Sequence, residues 1–345
     1  MKGKSAILIL TLGTDTMKWT YAAVRYAVKP VKIPIFFNGS LISVLDSLED
    51  GMVESCDAPA DVETLYVITT GGDIEFSPLQ NKLATCLMSM YNNPNLKIVF
   101  VSACTMNSSD LTFEKIKAII NALKTCFDQI EMKQQYEIDM NFDENVYVIY
   151  TDPFKTEERY RKEMEGASAI IIVGYGAGNI NIESDSGFSL IQLIKEKSKD
   201  IPIVLTGQNT SEPSDFICEN AWEAIKAGAI SGVDLTIPEI QMRLSYLMGH
   251  RHQIDELCNG EDAIYNFLEV VEWLFLSGRE FSSQHSRRVY ENLRRVHFPK
   301  KDRIINCDLD NSLCLFALEN GMLKMVTNDK GEEDFIWVHN SYESD

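Results

Sequence analysis

A chain of 345 residues with 45% hydrophobic side chains carries enough apolar mass for two ordinary cores, which excludes a disordered or fibrous protein. Acidic residues outnumber basic ones by 51 to 32, and the net charge of −19 argues against nucleic acid or an anionic membrane as partner of the bulk surface. The longest apolar stretch, Ala263 to Leu276, is broken by Asn266, Glu269 and Glu272 and falls short of the ~20 residues a bilayer demands, so no membrane span is expected.

The first predicted strand is the apolar run Ala6 to Leu10. Lys2 and Lys4 ahead of it imitate a secretory leader, but the run is short and lacks a small-residue cleavage site, so it reads as a core strand. It feeds Thr11-Leu12-Gly13-Thr14-Asp15-Thr16-Met17 and then a helix. Hydroxyls and a carboxylate therefore sit at a strand's carboxyl end, where open α/β sheets bind ligands. Thr14 or Thr16 has the chemistry of a nucleophile or donor there, and Asp15 that of an ammonium anchor. Taken alone, the same turn is a helix cap with Asp15 accepting backbone amides.

Met17, Tyr21, Val24 and Val28 share one face of the helix predicted over 17–28, which Pro30 stops. Strands are expected at Ile33 to Phe37, Leu65 to Thr70 and Ile98 to Val101. Phe113, Ile116, Ile120, Leu123 and Phe127 mark an amphipathic helix introduced by Asn107-Ser108-Ser109-Asp110. Gln129 to Asn145 is polar, acidic and aperiodic, as befits a linker. Strands at Val146 to Tyr150, Ala169 to Val173 and Ile203 to Leu205 then alternate with helices, the later two at Gly187 to Lys195 and Phe216 to Lys226. Thr236-Ile237-Pro238-Glu239 is a capping box that opens a helix through Leu247. An apolar helix, a basic helix and a hairpin, Ser312 to Leu318 with Leu323 to Val326 about Asn320-Gly321, follow.

This pattern predicts an α/β protein: a larger, mostly parallel N-terminal sheet domain at 1–128, a linker at 129–145, a smaller parallel α/β domain at 146–250, and an α+β appendage at 251–345. The eight cysteines (56, 86, 104, 126, 218, 258, 307 and 314) form no C-x-x-C pair, which suits reduced, mostly buried thiols of a cytoplasmic protein better than disulfides or zinc. His250 and His252 with Cys258 lack a fourth ligand at useful spacing; they are expected to be solvated helix-end residues, and neither a metal nor a cofactor is expected. Arg287, Arg288, Arg294, Arg295, Lys300, Lys301 and Arg303 form a basic cluster on a helix with Val289, Leu293 and Val296 inward. It is either a solvated face or a docking surface for an acidic partner or RNA.

Several of these blocks carry a resemblance. Gly13-Thr14-Asp15-Thr16-Met17 with Thr20-Tyr21-Ala22-Ala23, Lys29-Pro30, Gly39-Ser40 and Asp50-Gly51 resembles the second threonine motif of bacterial L-asparaginases. Gly174-Tyr175-Gly176-Ala177-Gly178-Asn179, Pro202 to Thr206 and Gly228 to Thr236 resemble that family's smaller C-terminal domain in order and spacing. Val67-Ile68-Thr69-Thr70-Gly71-Gly72-Asp73-Ile74 resembles the family's first threonine loop, and Asn107 to Thr112 its carboxylate-binding element, yet both follow the second motif here. Either the N-terminal domain is circularly permuted or rearranged, or the first strand is missing and Leu65 to Ile74 is a later strand of a linear domain.

The resemblance implies an amidohydrolase. In the family a first-loop threonine attacks the side-chain amide, ammonia leaves, and water releases the acyl-enzyme, supported by a second threonine, a lysine and an aspartate. Thr14 matches the second threonine, and Asp15 the aspartate that also holds the substrate's α-ammonium. Asp73 stands where the first-loop nucleophile is expected; a carboxylate there would give an anhydride rather than an ester. Lys82 supplies the lysine under the linear reading. Gly13, Thr16, Gly71, Gly72, Ser108 and Ser109 complete the substrate-binding set, with Asn179 or Asn181 reaching a neighbouring subunit's pocket. The implied partners are a small amino-acid amide and further copies in a homodimer or higher homo-oligomer, with a protein partner possible for 251–345. Two functions follow: hydrolysis of asparagine or a related amide through Thr14, or, given Asp73, a catalytically silent relative that binds an amino acid or a protein.

Overall fold

The computed structural model describes residues 4–11, 14–28, 35–38, 62–70, 81, 84–85, 87–88, 93–106, 110–130, 136, 138–181, 188–208, 219–232, 235–259, 266–276, 324–327 and 333–336. They divide into two compact units between Met140 and Asn141.

The first unit contains strands β1 (Lys4–Leu10), β2 (Ile35–Asn38), β3 (Val62–Thr69) and β4 (Lys97–Ser102), with helices α1 (Thr14–Ala27) and α2 (Phe113–Gln129). The strands form a four-stranded sheet in the order β2-β1-β3-β4, every neighbouring pair parallel. A parallel sheet is covered on both faces, so its inner strands must be apolar throughout. Ala6, Ile7 and Ile9 of β1 and Leu65, Val67 and Ile68 of β3 are accordingly fully buried. On one face Ala6, Leu8, Leu10, Leu65 and Val67 join Leu87 and Leu96 in a single apolar cluster. Helix α2 packs on β3 and on α1. It is capped by Thr112, whose side chain accepts from the Lys115 amide, and it buries Ile116, Ile119, Ile120, Leu123 and Phe127.

Helix α1 differs from expectation in its start and in its buried face. It begins at Thr14 rather than Met17. Tyr21, expected to point inward, is 43% exposed, while Thr16, Thr20, Ala23 and Ala27, spaced at helical intervals, are buried together with Ala22, Val24 and Tyr26. Small side chains let the packed neighbours approach. The Thr20 hydroxyl is buried without a hydrogen-bond partner.

The second unit repeats the alternation: β5 (Val146–Tyr150), α3 (Glu157–Glu163), β6 (Ala169–Gly174), α4 (Leu190–Lys197), β7 (Ile203–Gly207), α5 (Glu219–Lys226) and β8 (Ile230–Ser231). The sheet is parallel in the order β5-β6-β7-β8, and β6 and β7 are buried along their whole length. Helix α6 (Ile237–Gly249) packs on β5 and β6. Its capping box is complete: the Glu239 carboxylate accepts from the Thr236 amide at 2.8 Å and the Glu239 amide donates to the Thr236 hydroxyl at 3.4 Å. Helices α7 (Arg251–Asn259) and α8 (Phe267–Leu276) follow, and α8 packs on both α6 and α7.

His250 corrects the expectation of a solvated helix-end residue. It is 3% exposed, stacked 4.2 Å from the Tyr246 ring, and its Nδ1–H donates to the Tyr246 carbonyl at 2.8 Å. The break between α6 and α7 folds the imidazole back over the preceding turn. His252 remains on the surface beside Glu256. The strand expected at Leu323 to Val326 is β9 (Lys324–Thr327), which pairs antiparallel with β10 (Glu333–Ile336). Ser312 to Leu318, Asn320-Gly321 and the basic cluster at 287–303 lie outside the described residues. Among the described residues, no helix is long and apolar enough to cross a membrane.

Two substitutions test this packing. Thr20→Val removes an unpaired buried hydroxyl at nearly constant shape, so the urea midpoint is expected to rise, by up to ~1 kcal/mol in stability; a lowered midpoint would mean the hydroxyl is paired. Gly207→Ala is expected to lose ~2 kcal/mol or more in the same titration, because a Cβ at 207 would lie 2.4 Å from the Gly176 carbonyl oxygen, which is backbone and has no rotamer to change.

Candidate active site

The carboxyl edge of the first sheet is level. The β1–β3 ladder ends at Leu10↔Thr69, the β1–β2 ladder at Leu10↔Asn38, and the β3–β4 ladder at Thr69↔Ser102. Apolar side chains fill the strands up to that line, and hydroxyl-bearing residues take over at it: Thr11, Thr69 and Thr70 are all buried. The Thr70 hydroxyl donates to the Leu10 carbonyl at 3.2 Å, the Ala103 amide donates to the Thr69 carbonyl at 3.0 Å, and the Met106 amide donates to the Thr70 carbonyl at 3.1 Å.

Thr14 and Asp15 are the first two residues of α1, just past this edge. A helix amino end carries amides with no partner inside the helix and the positive end of its dipole, so it attracts a carboxylate or a developing oxyanion. Thr16 lies in the same first turn and is buried. Gly13, Gly71, Gly72, Asp73, Lys82, Ser108 and Ser109 lie outside the described residues. The described chain reaches Thr70 immediately before Gly71 and resumes at Asp110 after Ser109, where Asp110 forms an ion pair with Lys115 at 2.7 Å.

Cys104 follows β4 at the same edge. Burial pushes its thiol above the ordinary cysteine range, and Asp110 adds to that, while Lys115 opposes it. It is therefore a neutral thiol at pH 7 and a poor nucleophile. The Cys126 thiol in α2 is pushed up to about 12 by burial, and Cys258 to about 11, by burial first and then by Asp255 and Glu269. Among the described residues no three His, Cys, Asp or Glu side chains gather as a metal centre would require.

Asn179 and Asn181 belong to the second unit, after β6. Residues 175–179 close on themselves: the Tyr175 amide donates to the Asn179 carbonyl at 2.7 Å and the Asn179 amide to the Tyr175 carbonyl at 2.8 Å. Gly178, at φ +102°, takes a backbone conformation that side chains disfavour. The Asn179 Oδ1 is buried without a hydrogen-bond partner, whereas Asn181 is exposed. Burial chiefly raises the Tyr175 hydroxyl above the usual phenol range, with the neighbouring Thr151 hydroxyl opposing the shift.

Sequence reasoning assigned no role to Thr11 or Thr70. The available signal was a β-branched hydroxyl residue directly after an apolar strand, but many strand ends share it.

Over 253 residues the chain is 24% identical to an L-asparaginase of Thermococcus kodakarensis, a match covering 72% of each protein. It is 22% identical over 259 residues to a glutamyl-tRNA(Gln) amidotransferase polypeptide of Methanosarcina barkeri, covering 72% of this chain and 57% of that protein. Among solved structures, the thermostable L-asparaginase from Thermococcus kodakarensis aligns with 79% of this chain and 97% of its own at 16% identity and a TM-score of 0.35. A probable cytoplasmic L-asparaginase from Campylobacter jejuni aligns with 79% of this chain and 99% of its own at 12% identity and a TM-score of 0.29. No protein-family model matches the chain. The chain is similar to L-asparaginases, at modest sequence identity.

Proposed function

We propose that this protein is an amidohydrolase that releases ammonia from the side-chain amide of asparagine or a related small amide. The observation that carries the reading is the register of β1 against β3, which ends level at Leu10 and Thr69. The segments leading to Thr14 and Asp15 on one side and to Gly71 and Asp73 on the other therefore depart from neighbouring points of one sheet edge. The permuted arrangement of motifs requires that adjacency.

In this reading the Thr14 oxygen bonds to the amide carbonyl carbon, and its proton passes to the supporting set of Asp15 and, in the linear topology, Lys82. Amides of the first turn of α1 stabilise the oxyanion. Collapse breaks the C–N bond, the proton leaves with ammonia, and water then cleaves the threonyl ester to give the free acid and regenerate the hydroxyl. Asp15 also holds the substrate's α-ammonium, and Ser108 its carboxylate. Asp73, standing where the family's first-loop nucleophile is expected, leaves attack to Thr14.

Thr14→Ala is expected to lower kcat for ammonia release from L-asparagine by ~10³-fold or more, with the circular dichroism spectrum unchanged. Asp73 also motivates a silent binder. That reading predicts no turnover of any small amide by the wild-type protein, together with a raised melting temperature in L-aspartate; ligand at 100 times its Kd adds about 2.7 kcal/mol of stability.

A further inference from the structure

We infer that Thr70 is a positioning residue for the hydrolytic site, an inference that rests on the amidohydrolase function proposed above. Thr70 stands one residue past the end of β3 and is fully buried. Its hydroxyl donates to the carbonyl of Leu10, 60 residues away in the chain, at 3.2 Å. Its own carbonyl accepts from the Met106 amide at 3.1 Å.

The regular ladders stop at Thr69, paired with Leu10 on one side and with Ser102 on the other. Thr70 adds one further link on each side: through its side chain to β1 and through its backbone to the chain that follows β4. One residue thus ties together three strand ends, those leading to Thr14 and Asp15, to Gly71 and Asp73, and to Ser108. The link to β1 is made by the side chain, at the point where the regular pairing of β1 with β3 ends at Leu10↔Thr69. A hydroxyl on a β-branched carbon suits the place: it has a single restricted rotor, and its donor has a fixed acceptor in dry surroundings. Thr70 does not itself touch the substrate in this account; it holds the segments that do. Since reacting groups displaced by about 1 Å cost roughly 10²-fold in rate, a link of this kind is visible in turnover before it is visible in folding.

An ordinary core role for Thr70 makes the opposite demand on its side chain. Packing needs the methyl group and is indifferent to the hydroxyl, whereas positioning needs the hydroxyl and tolerates loss of the methyl. Thr70→Val keeps the shape and removes the donor; Thr70→Ser keeps the donor and removes the methyl. With the full-length protein and whichever of L-asparagine and L-glutamine it turns over, Thr70→Val is expected to lower kcat about 10- to 100-fold, with KM moving less than threefold and the shape of the pH–rate profile unchanged. Thr70→Ser is expected to retain kcat within about threefold. Thr20→Val, which removes an equally buried hydroxyl that has no partner, is expected to leave kcat within about twofold.

Wild-type activity in Thr70→Val, or a tenfold loss in Thr70→Ser, overturns the inference. The serine variant carries the test by itself if the valine variant does not fold. A wild-type protein with no turnover removes the amidohydrolase reading and this inference with it; an active wild type with an unaffected Thr70→Val removes only this inference.

Discussion

The parallel register between β1 and β3 is the constraint on which the first unit depends. Parallel strands joined by crossovers leave both sheet faces covered, so the strands tolerate only apolar side chains along their length. Polar chemistry is driven to the edge, where the backbone ladder runs out and exposed amides and carbonyls need partners. Leu10, Thr69 and Ser102 mark that line. Threonine is well suited to it: its side chain combines a methyl that tolerates a dry layer with a hydroxyl that can donate to a backbone carbonyl at the strand end. Thr70 does this for Leu10. The proposed chemistry occupies the same boundary because the dry interior on one side strengthens hydrogen bonds and charges on the other.

The second unit solves the same problem with glycine. Its sheet also ends at a polar edge, where Thr151 donates its hydroxyl to the Val173 carbonyl at 3.0 Å. The connection after β6, however, folds so tightly that neighbouring backbone fills the space a side chain would need. A Cβ on Gly174 would meet the Asn179 carbonyl oxygen at 2.7 Å, and one on Gly207 the Gly176 oxygen at 2.4 Å. The result is a short closed turn with a buried, unpartnered Asn179 side-chain oxygen. The glycines are what let this backbone close so tightly.

Strongly periodic or fully apolar elements were legible in the sequence. The stripe from Ile116 to Phe127, the runs at 146–150, 169–173 and 203–205, and the Thr236–Glu239 capping box all appear with nearly their expected bounds. The face of α1 was misjudged because hydropathy rates threonine and alanine as indifferent. Their small size is what lets Thr16, Thr20, Ala23 and Ala27 form the packed side while Tyr21 stays wet. His250 was misread because its burial comes from a bend between two helices, which no local pattern encodes. The pairing of Lys324–Thr327 with Glu333–Ile336 has no counterpart among the expected elements, because an Asn-Gly pair signals a turn without saying which other strands pair nearby. For the site, strand ends and helix starts were legible in the residues, but the adjacency of β1 and β3 is a long-range pairing with no local signature.

The account stands or falls on where an amino-acid ligand binds. A crystal structure of the protein with L-aspartate, the product of asparagine hydrolysis, locates it directly. The account predicts the ligand at the carboxyl edge of the first sheet, with its α-ammonium on Asp15 and its side-chain carboxylate against Thr14 and the amino end of α1. L-aspartate held elsewhere, with Thr14 and Asp15 out of contact, would contradict it.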